Sequence, residues 1–302
     1  MKTWKTKNGR SIIRVLSGRS NAYLIPDGNK YILIDTGEKS AFGRLKNSLE
    51  ILNITVEEIS TLILTHTHFD HCQSAGKIQE KSGCRVIVSG FAADYIQKGY
   101  TRLPKGTIPV SKLISRFGNL IGENGFGYDP FRPDILIKYD FDLDGKDSIK
   151  IIESAGHSDD SVSILIENEI AIVGDLMFGI LPNSIFPPYA DNISKMLESW
   201  GKLLDTDCTI FLPGHGREVS RNLLEKEYEK YSRKLNKKIK TSMKLKILVG
   251  SGRKIGLFTL PFLIIGLTMN LLFPNFFSVG GPSAFITMVS ITMLIPGTIV
   301  WF

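Results

Sequence analysis

Five histidines occur in this 302-residue chain, and all lie in three short signatures: Thr65-His66-Thr67-His68-Phe69-Asp70-His71, Ala155-Gly156-His157-Ser158 and Pro213-Gly214-His215-Gly216. Histidine is the commonest metal ligand, and neutral imidazole suits zinc and iron. None is left for ordinary core or surface duty, so the pattern points to a metal site. Alternate residues of an extended segment point the same way, so His66 and His68 can converge on one ion. Asp70 and His71, in the turn that follows, can reach a second. His157 would complete the first set and His215 the second. Asp175, a carboxylate after an apolar run, is placed to bridge the two ions; the alternative is a helix cap. Paired metals about 3.5–4 Å apart can clamp the attacking and leaving oxygens of a hydrolysis. Cys72 reads either as a further ligand or as a small buried hydrophobe.

These groups need a rigid scaffold, and the hydropathy pattern supplies one. Strands are expected at 11–17, 22–25, 30–35, 60–65, 84–88, 147–153, 161–167, 169–173 and 208–212. Helices are expected at 41–52, 71–81 and 191–204. The ligand candidates fall just beyond strand ends, where loops on a rigid frame usually carry function. Segment 91–133 is of mixed character, with Tyr95, Tyr100, Phe117, Phe126, Tyr128 and Phe131 beside Lys98, Arg102, Lys105, Arg116 and Arg132.

The net charge of +7 is unevenly placed. Residues 225–254 hold eleven Lys/Arg against three Glu, and residues 255–302 hold no charged residue and no histidine. The basic balance therefore reports a neck, and nucleic acid is not an expected partner. The neck predicts a helix over 221–246. Uncharged runs at 255–273 and 284–302 each approach the roughly 20 residues that span a bilayer. They predict a transmembrane hairpin, with lipid bilayer as a partner. Basic residues before the first run, and none between the two, would place the body on the cytoplasmic side of the cell membrane. Residues 1–5 lack the apolar stretch of a signal peptide. Three cysteines without a CxxC pair suit a reducing compartment.

The order and contexts of the candidate ligands resemble the metallo-β-lactamase superfamily. The Thr-His-x-His-x-Asp-His form looks like its glyoxalase II-like and lactonase-like branches. The resemblance covers about 11–219 and includes Leu33-Ile34-Asp35-Thr36-Gly37 and Ser74-Ala75-Gly76. One departure is Ala155-Gly156-His157-Ser158, where the family more often has Pro-Gly-His-Thr. The resemblance implies an α+β fold, a four-layer αββα sandwich over 1–220, with a dinuclear centre at the edge of its two sheets. The basic neck (221–254) and the hairpin (255–302) would follow it. The implied ligands are His66, His68, Asp70, His71, His157, Asp175 and His215. They would hold two divalent ions, zinc first, with iron and manganese as the other candidates. A metal lowers the pKa of bound water toward about 7. Hydroxide so formed would attack an ester, thioester or lactone carbonyl, with Asp70 as the catalytic residue that orients it and accepts its proton. Asp35 is expected to hold the metal loop through backbone hydrogen bonds, and 91–133 to roof the site. The substrate would be a small molecule, acyl or lipid-like. A phosphodiesterase on lipid or nucleotide, a mononuclear iron oxygenase and a catalytically silent scaffold are the competing readings.

Overall fold

The computed structural model describes residues 1–143, 145 and 148–242. Strand alternation decides the layering. In β1 to β4 (Lys2–Lys5, Ser11–Leu16, Ala22–Asp27, Lys30–Ile34), successive side chains face opposite sides of one sheet. Ile32 and Ile34 of β4 join an inner apolar cluster, and Leu33 between them joins an outer one. The next strands, β5 (Ile59–Ile63), β6 (Arg85–Ser89) and β7 (Ile135–Ile137), complete seven strands in chain order. β1 to β4 pair antiparallel, and β4 to β7 are parallel. The parallel strands are covered on both faces, and so read as near-continuous apolar runs.

The second sheet is built from β8 (Phe141–Asp142), β9 (Ile149–Glu153), β10 (Val162–Ile166), β11 (Ile170–Gly179), β12 (Ile210–Gly216) and β13 (Val219–Ser220). Its Ile149, Ile151, Ile164 and Ile172 meet Ile25, Ile34, Ile63 and Ile87 of the first sheet in the inner cluster. Each such side chain contributes about 1.5–3 kcal/mol by leaving water. Helices α1 (Phe42–Ile51), α2 (Phe69–Cys72) and α3 (Ala75–Ser82) precede β6, and Leu45, Leu49 and Ile78 pack in the outer cluster. The helix α7, placed after three helices described below, runs Ile193–Leu204 and buries Met196, Trp200 and Leu203; Trp200 Nε1 donates to the Leu176 carbonyl (2.9 Å). The order of layers is helix, sheet, sheet, helix.

Several elements differ from expectation. The single helix expected at 71–81 is two pieces, α2 and α3, because the His71 carbonyl is taken by Thr36 instead of continuing the helix: Thr36 N and Oγ1 donate to it (2.8 and 2.9 Å). β11 does not stop at 173. It continues to Gly179 with register shifts at Gly174, and such bulges re-aim side chains. Asp175 therefore lies within a strand, which removes the helix-cap alternative. β1 escaped the pattern because Trp4 is its one apolar residue. Segment 91–133 contains three helices: α4 (Ala93–Lys98), α5 (Pro109–Ile121) and α6 (Glu123–Phe126). α5 turns its small residues Ser111, Ser115 and Gly118 inward and leaves Val110, Leu113, Phe117 and Leu120 exposed.

Residues 221–242 are helical, and the rest of the expected neck lies outside the described residues. The two-span membrane placement is corrected. Among the described residues no helix is long and apolar enough to cross a membrane, and 255–273 and 284–302 lie outside them. An uncharged run limits the cost of contact with lipid, but a span also needs a continuous helix that satisfies its own backbone groups. The sequence pattern alone did not establish one.

Candidate metal centre

The seven candidate residues come together at one edge of the two sheets. β5 leads into Thr65-His66-Thr67-His68, and Asp70 and His71 sit in the short helix α2. His157 follows β9, Asp175 lies in β11 and His215 in β12. Three overlapping groups could hold a metal: His66, His68 and His157; His66, His71 and Asp175; and Asp70, His71 and His215. In each, the donor atoms lie within 4.8 Å of one another. Asp70 and His215 are half-buried, and the other five are buried.

Hydrogen bonds at the outer ring nitrogens set the histidine tautomers. His68 Nε2 donates to the Arg102 carbonyl (3.1 Å), and His157 Nδ1 donates to the Tyr189 carbonyl (3.0 Å). A carbonyl can only accept, so the remaining nitrogens, His68 Nδ1 and His157 Nε2, are lone pairs when the rings are neutral. They face each other at 3.0 Å. His71 Nδ1 donates to Asp35 Oδ2 (2.9 Å). The same Asp35 accepts from Thr65 N and Thr65 Oγ1 (both 2.8 Å), so Thr65 Oγ1 is free to accept from His66 Nδ1 (3.1 Å). Asp35 thus aims His71 directly and His66 through Thr65. This goes beyond the backbone role expected of it.

The inward atom His66 Nε2 is buried without a hydrogen-bond partner among the described residues, and His71 Nε2 and Asp175 Oδ1, 3.2 Å apart, are not aligned for a hydrogen bond. Buried polar atoms are ordinarily paired. Lone pairs and carboxylate oxygens converging on one point suit a cation, so these residues fit divalent metal ions. Outer-nitrogen bonds of this kind orient imidazole ligands and raise their basicity.

Electrostatics divide the cluster. Burial pushes His68 and His157 down to about 4, and His66 well below its usual range, which keeps these rings neutral. Burial acts the same way on His71 and His215, but nearby carboxylates outweigh it, Asp175 first, and both are raised. Asp175 is raised by burial and lowered further by His215 and His71, so it falls well below the carboxylate range. Its Oδ1 lies 3.2 Å from His71 Nε2, and its Oδ2 lies 3.1 Å from His215 Nε2 and 3.6 Å from His157 Nε2.

Close packing holds these positions. Gly214 could not carry a side chain, because a Cβ would sit 2.3 Å from Asp175 Oδ1 and 2.6 Å from His71 Cε1. Tyr23 Oη and Asn21 Nδ2 donate to the Pro213 carbonyl (2.7 and 2.9 Å), tying the approach to His215 onto β3. Asp160 lies in the loop that follows His157. It is buried, and its Oδ2 accepts from Thr67 N and Oγ1 (2.8 and 2.7 Å) between the candidate ligands His66 and His68, while Ser158 Oγ donates to its Oδ1 (2.6 Å). Its neighbour Asp159 is exposed. Nothing in the adjacent pair distinguishes them except the burial that the fold imposes. Cys72 is buried, and its Sγ donates to the Thr67 carbonyl (3.2 Å).

The cluster opens into a cavity of ≈ 320 Å³, with His68, Asp70, His157, Asp175 and His215 on its floor. Its walls are largely apolar and include Phe69, Leu103, Pro104, Ile114, Phe126 and Phe178, with Arg19 as the one cation.

Residues 17–215 match the family model of the metallo-beta-lactamase superfamily. The chain belongs to this superfamily. It is 32% identical over 160 residues to a probable metallo-hydrolase of Methanocaldococcus jannaschii, covering 53% of this chain and 68% of that protein. It is 24% identical over 260 residues to an atrochrysone carboxyl ACP thioesterase of Aspergillus fumigatus, covering 81% and 68%. Among solved structures, a metallo-beta-lactamase from Cronobacter sakazakii carrying HARLDQ-motif substitutions superposes with a TM-score of 0.56 at 15% identity, over 80% of this chain and 98% of that one. That likeness shows the fold. The fold, the His/Asp cluster and the hydrolase relatives together make this metallo-beta-lactamase superfamily member a metal-dependent hydrolase.

Proposed function

We propose that the chain hydrolyses a small ester, thioester or lactone at a dinuclear centre, with zinc as the first candidate metal. His66, His68 and His157 would hold one ion, and Asp70, His71 and His215 the other. Asp175, in contact with histidines of both sets, would bridge them. Divalent ions there supply Lewis acidity and lower the pKa of water toward about 7.

The chain's own groups supply the rest. Asp70 lines the cavity with its Oδ2 3.5 Å from His215 Nε2. Its Oδ1 is left to orient the attacking water and to take its proton. Phe69, Ile114 and Phe126 exclude bulk water from the acyl group, and segment 91–133, which contributes the last two, acts as a roof. The observation that carries carbonyl hydrolysis is the largely apolar cavity directly above the cluster. The likeness to a thioesterase supports it.

The test is a parallel assay of the purified full chain on thioesters, lactones and bis-aryl phosphates, with metal content measured on the same sample. Turnover of carbonyl substrates with about two ions per chain is expected. Silence on every carbonyl substrate, with cleavage of phosphodiesters, would overturn the reading. A single iron with oxygen consumption would do so as well.

A further inference from the structure

Beside the metal-side cavity lies a larger one of ≈ 630 Å³. One wall is the strip 100–106, and the other is α5. Arg102 and Lys105 enter from the strip, Lys112 and Arg116 enter from α5, and no carboxylate is among the lining residues. None of the four cations has an ion-pair partner among the described residues. Two acids act at its margin: Asp191 Oδ1 accepts from the Lys105 backbone N (3.0 Å), and Glu123 acts on Tyr100.

The groove is held in shape. Leu103 N donates to Asn119 Oδ1 (2.9 Å), Asn119 Nδ2 donates to the Leu103 carbonyl (3.0 Å), and Ser115 Oγ donates to the Pro104 carbonyl (2.7 Å). The strip is therefore fixed to the inward face of α5. The same two elements also wall the metal-side cavity, through Leu103, Pro104 and Ile114. Arg102 joins the two: its carbonyl accepts from His68 Nε2 (3.1 Å), and its side chain lines the basic groove. Arg102 and Lys105 are three positions apart in the chain, a span of at most about 11 Å. The two cavities therefore share the strip and α5 as walls.

We propose that the basic groove binds a phosphate on the leaving-group side of the substrate, so that the substrate class is an acyl thioester of a phosphorylated thiol. This rests on the carbonyl-hydrolase reading. A single carboxylate would leave most of four cations unbalanced, whereas one phosphate monoester carries about −1.5 to −2 and three acceptor oxygens. Arginine forks match phosphate geometry. In the reaction, water oxygen bonds to the carbonyl carbon and the C–S bond breaks. The sulfur leaves with the bonding pair and takes up a proton, giving a carboxylic acid and the phosphorylated thiol. The phosphate itself is unchanged.

The experiment has a binding arm and a kinetic arm, both on the full chain with its metal. Calorimetry compares coenzyme A, phosphopantetheine and pantetheine, and rates are measured on their butyryl thioesters. Lys112 and Arg116 are exposed on α5, so K112E/R116E should fold, which circular dichroism checks. Phosphopantetheine should bind at least about tenfold tighter than pantetheine, as expected for one or two charge-assisted hydrogen bonds. The double variant should bring that ratio close to one in both affinity and KM. Tighter binding of coenzyme A than of phosphopantetheine would place further phosphates in the groove. Equal binding of phosphorylated and plain thiols, or a preference that survives K112E/R116E, would overturn the proposal even if thioesters are cleaved. Phosphate-dependent binding that the double variant abolishes, without turnover of any thioester, would keep the groove and remove the hydrolase reading.

Discussion

The two sides of the metal cluster are built differently. On one side, His66, His68 and His157 are buried, are pushed toward neutrality by that burial, and bring no charge of their own. Each is held at its outer nitrogen by a protein oxygen. On the other side, His71 and His215 share Asp175, and Asp70 and His215 are open to the cavity. The histidine trio presents lone pairs with nothing to receive them. The carboxylate side can satisfy itself in part by ion pairing. On the proposed reading, the first half would hold an ion through preorganised neutral rings, and the second would exchange protons beside the substrate.

The largest effect is expected at the exposed end of the carboxylate side. Asp70→Asn should lower kcat by roughly 10²–10⁴, the usual contribution of a positioned proton acceptor. If kcat returns in excess metal, Asp70 is a ligand only, and the two sides do not differ in proton transfer. Next come the supports, where loss of an outer hydrogen bond typically costs 10–100-fold in metal affinity. Asp160→Ala frees Thr67 and Ser158, beside the trio, and should loosen that ion. Gly214→Ala would press on Asp175 and His71 and should loosen the other ion. Asp35→Ala, which touches His71 and reaches His66 through Thr65, should weaken both. Metal retained per chain under graded chelator reads all three, and identical curves for Asp160→Ala and Gly214→Ala would dissolve the comparison.

The smallest effect is in the metal-free chain. His68 and His157, lowered to about 4, add stability above their unfolded value of about 6.5 and lose it as pH falls toward 4. His71 and His215, raised, add stability below about 6.5 and lose it as pH rises through their folded values. Metal-free Tm should therefore fall on both sides of about pH 6.5. Imidazole titrations by NMR should separate the two pairs, and a common pKa for all four rings would remove the electrostatic half of the argument.

The seven clustered residues were visible in sequence because donor chemistry and spacing are local: alternate positions after a strand must share a side. The strands that carry the inner isoleucines were legible from their apolar runs, but the face each residue takes was not. Asp160 was not, because its role depends on a loop 93 residues away from Thr67 in the chain. The break between α2 and α3 was hidden too, since it follows from Thr36 capturing the His71 carbonyl. Asp175 was open between a cap and a ligand until the bulge in β11 turned it toward His71 and His215. The membrane reading failed for a related reason. Uncharged length is a local property, and a spanning helix is not determined by it alone.

Sequence by itself determined which residues are candidate donors, the strand periodicity that makes two covered sheets, and the superfamily those features resemble. Tertiary structure alone decided which nitrogen of each histidine faces inward, which acid is buried, and how the strip at 100–106 and α5 enclose a cationic groove beside the cluster. The physical reason is distance along the chain. Hydropathy and side-chain chemistry act residue by residue, whereas tautomers, burial and shared walls arise only when distant segments supply each other's hydrogen-bond partners.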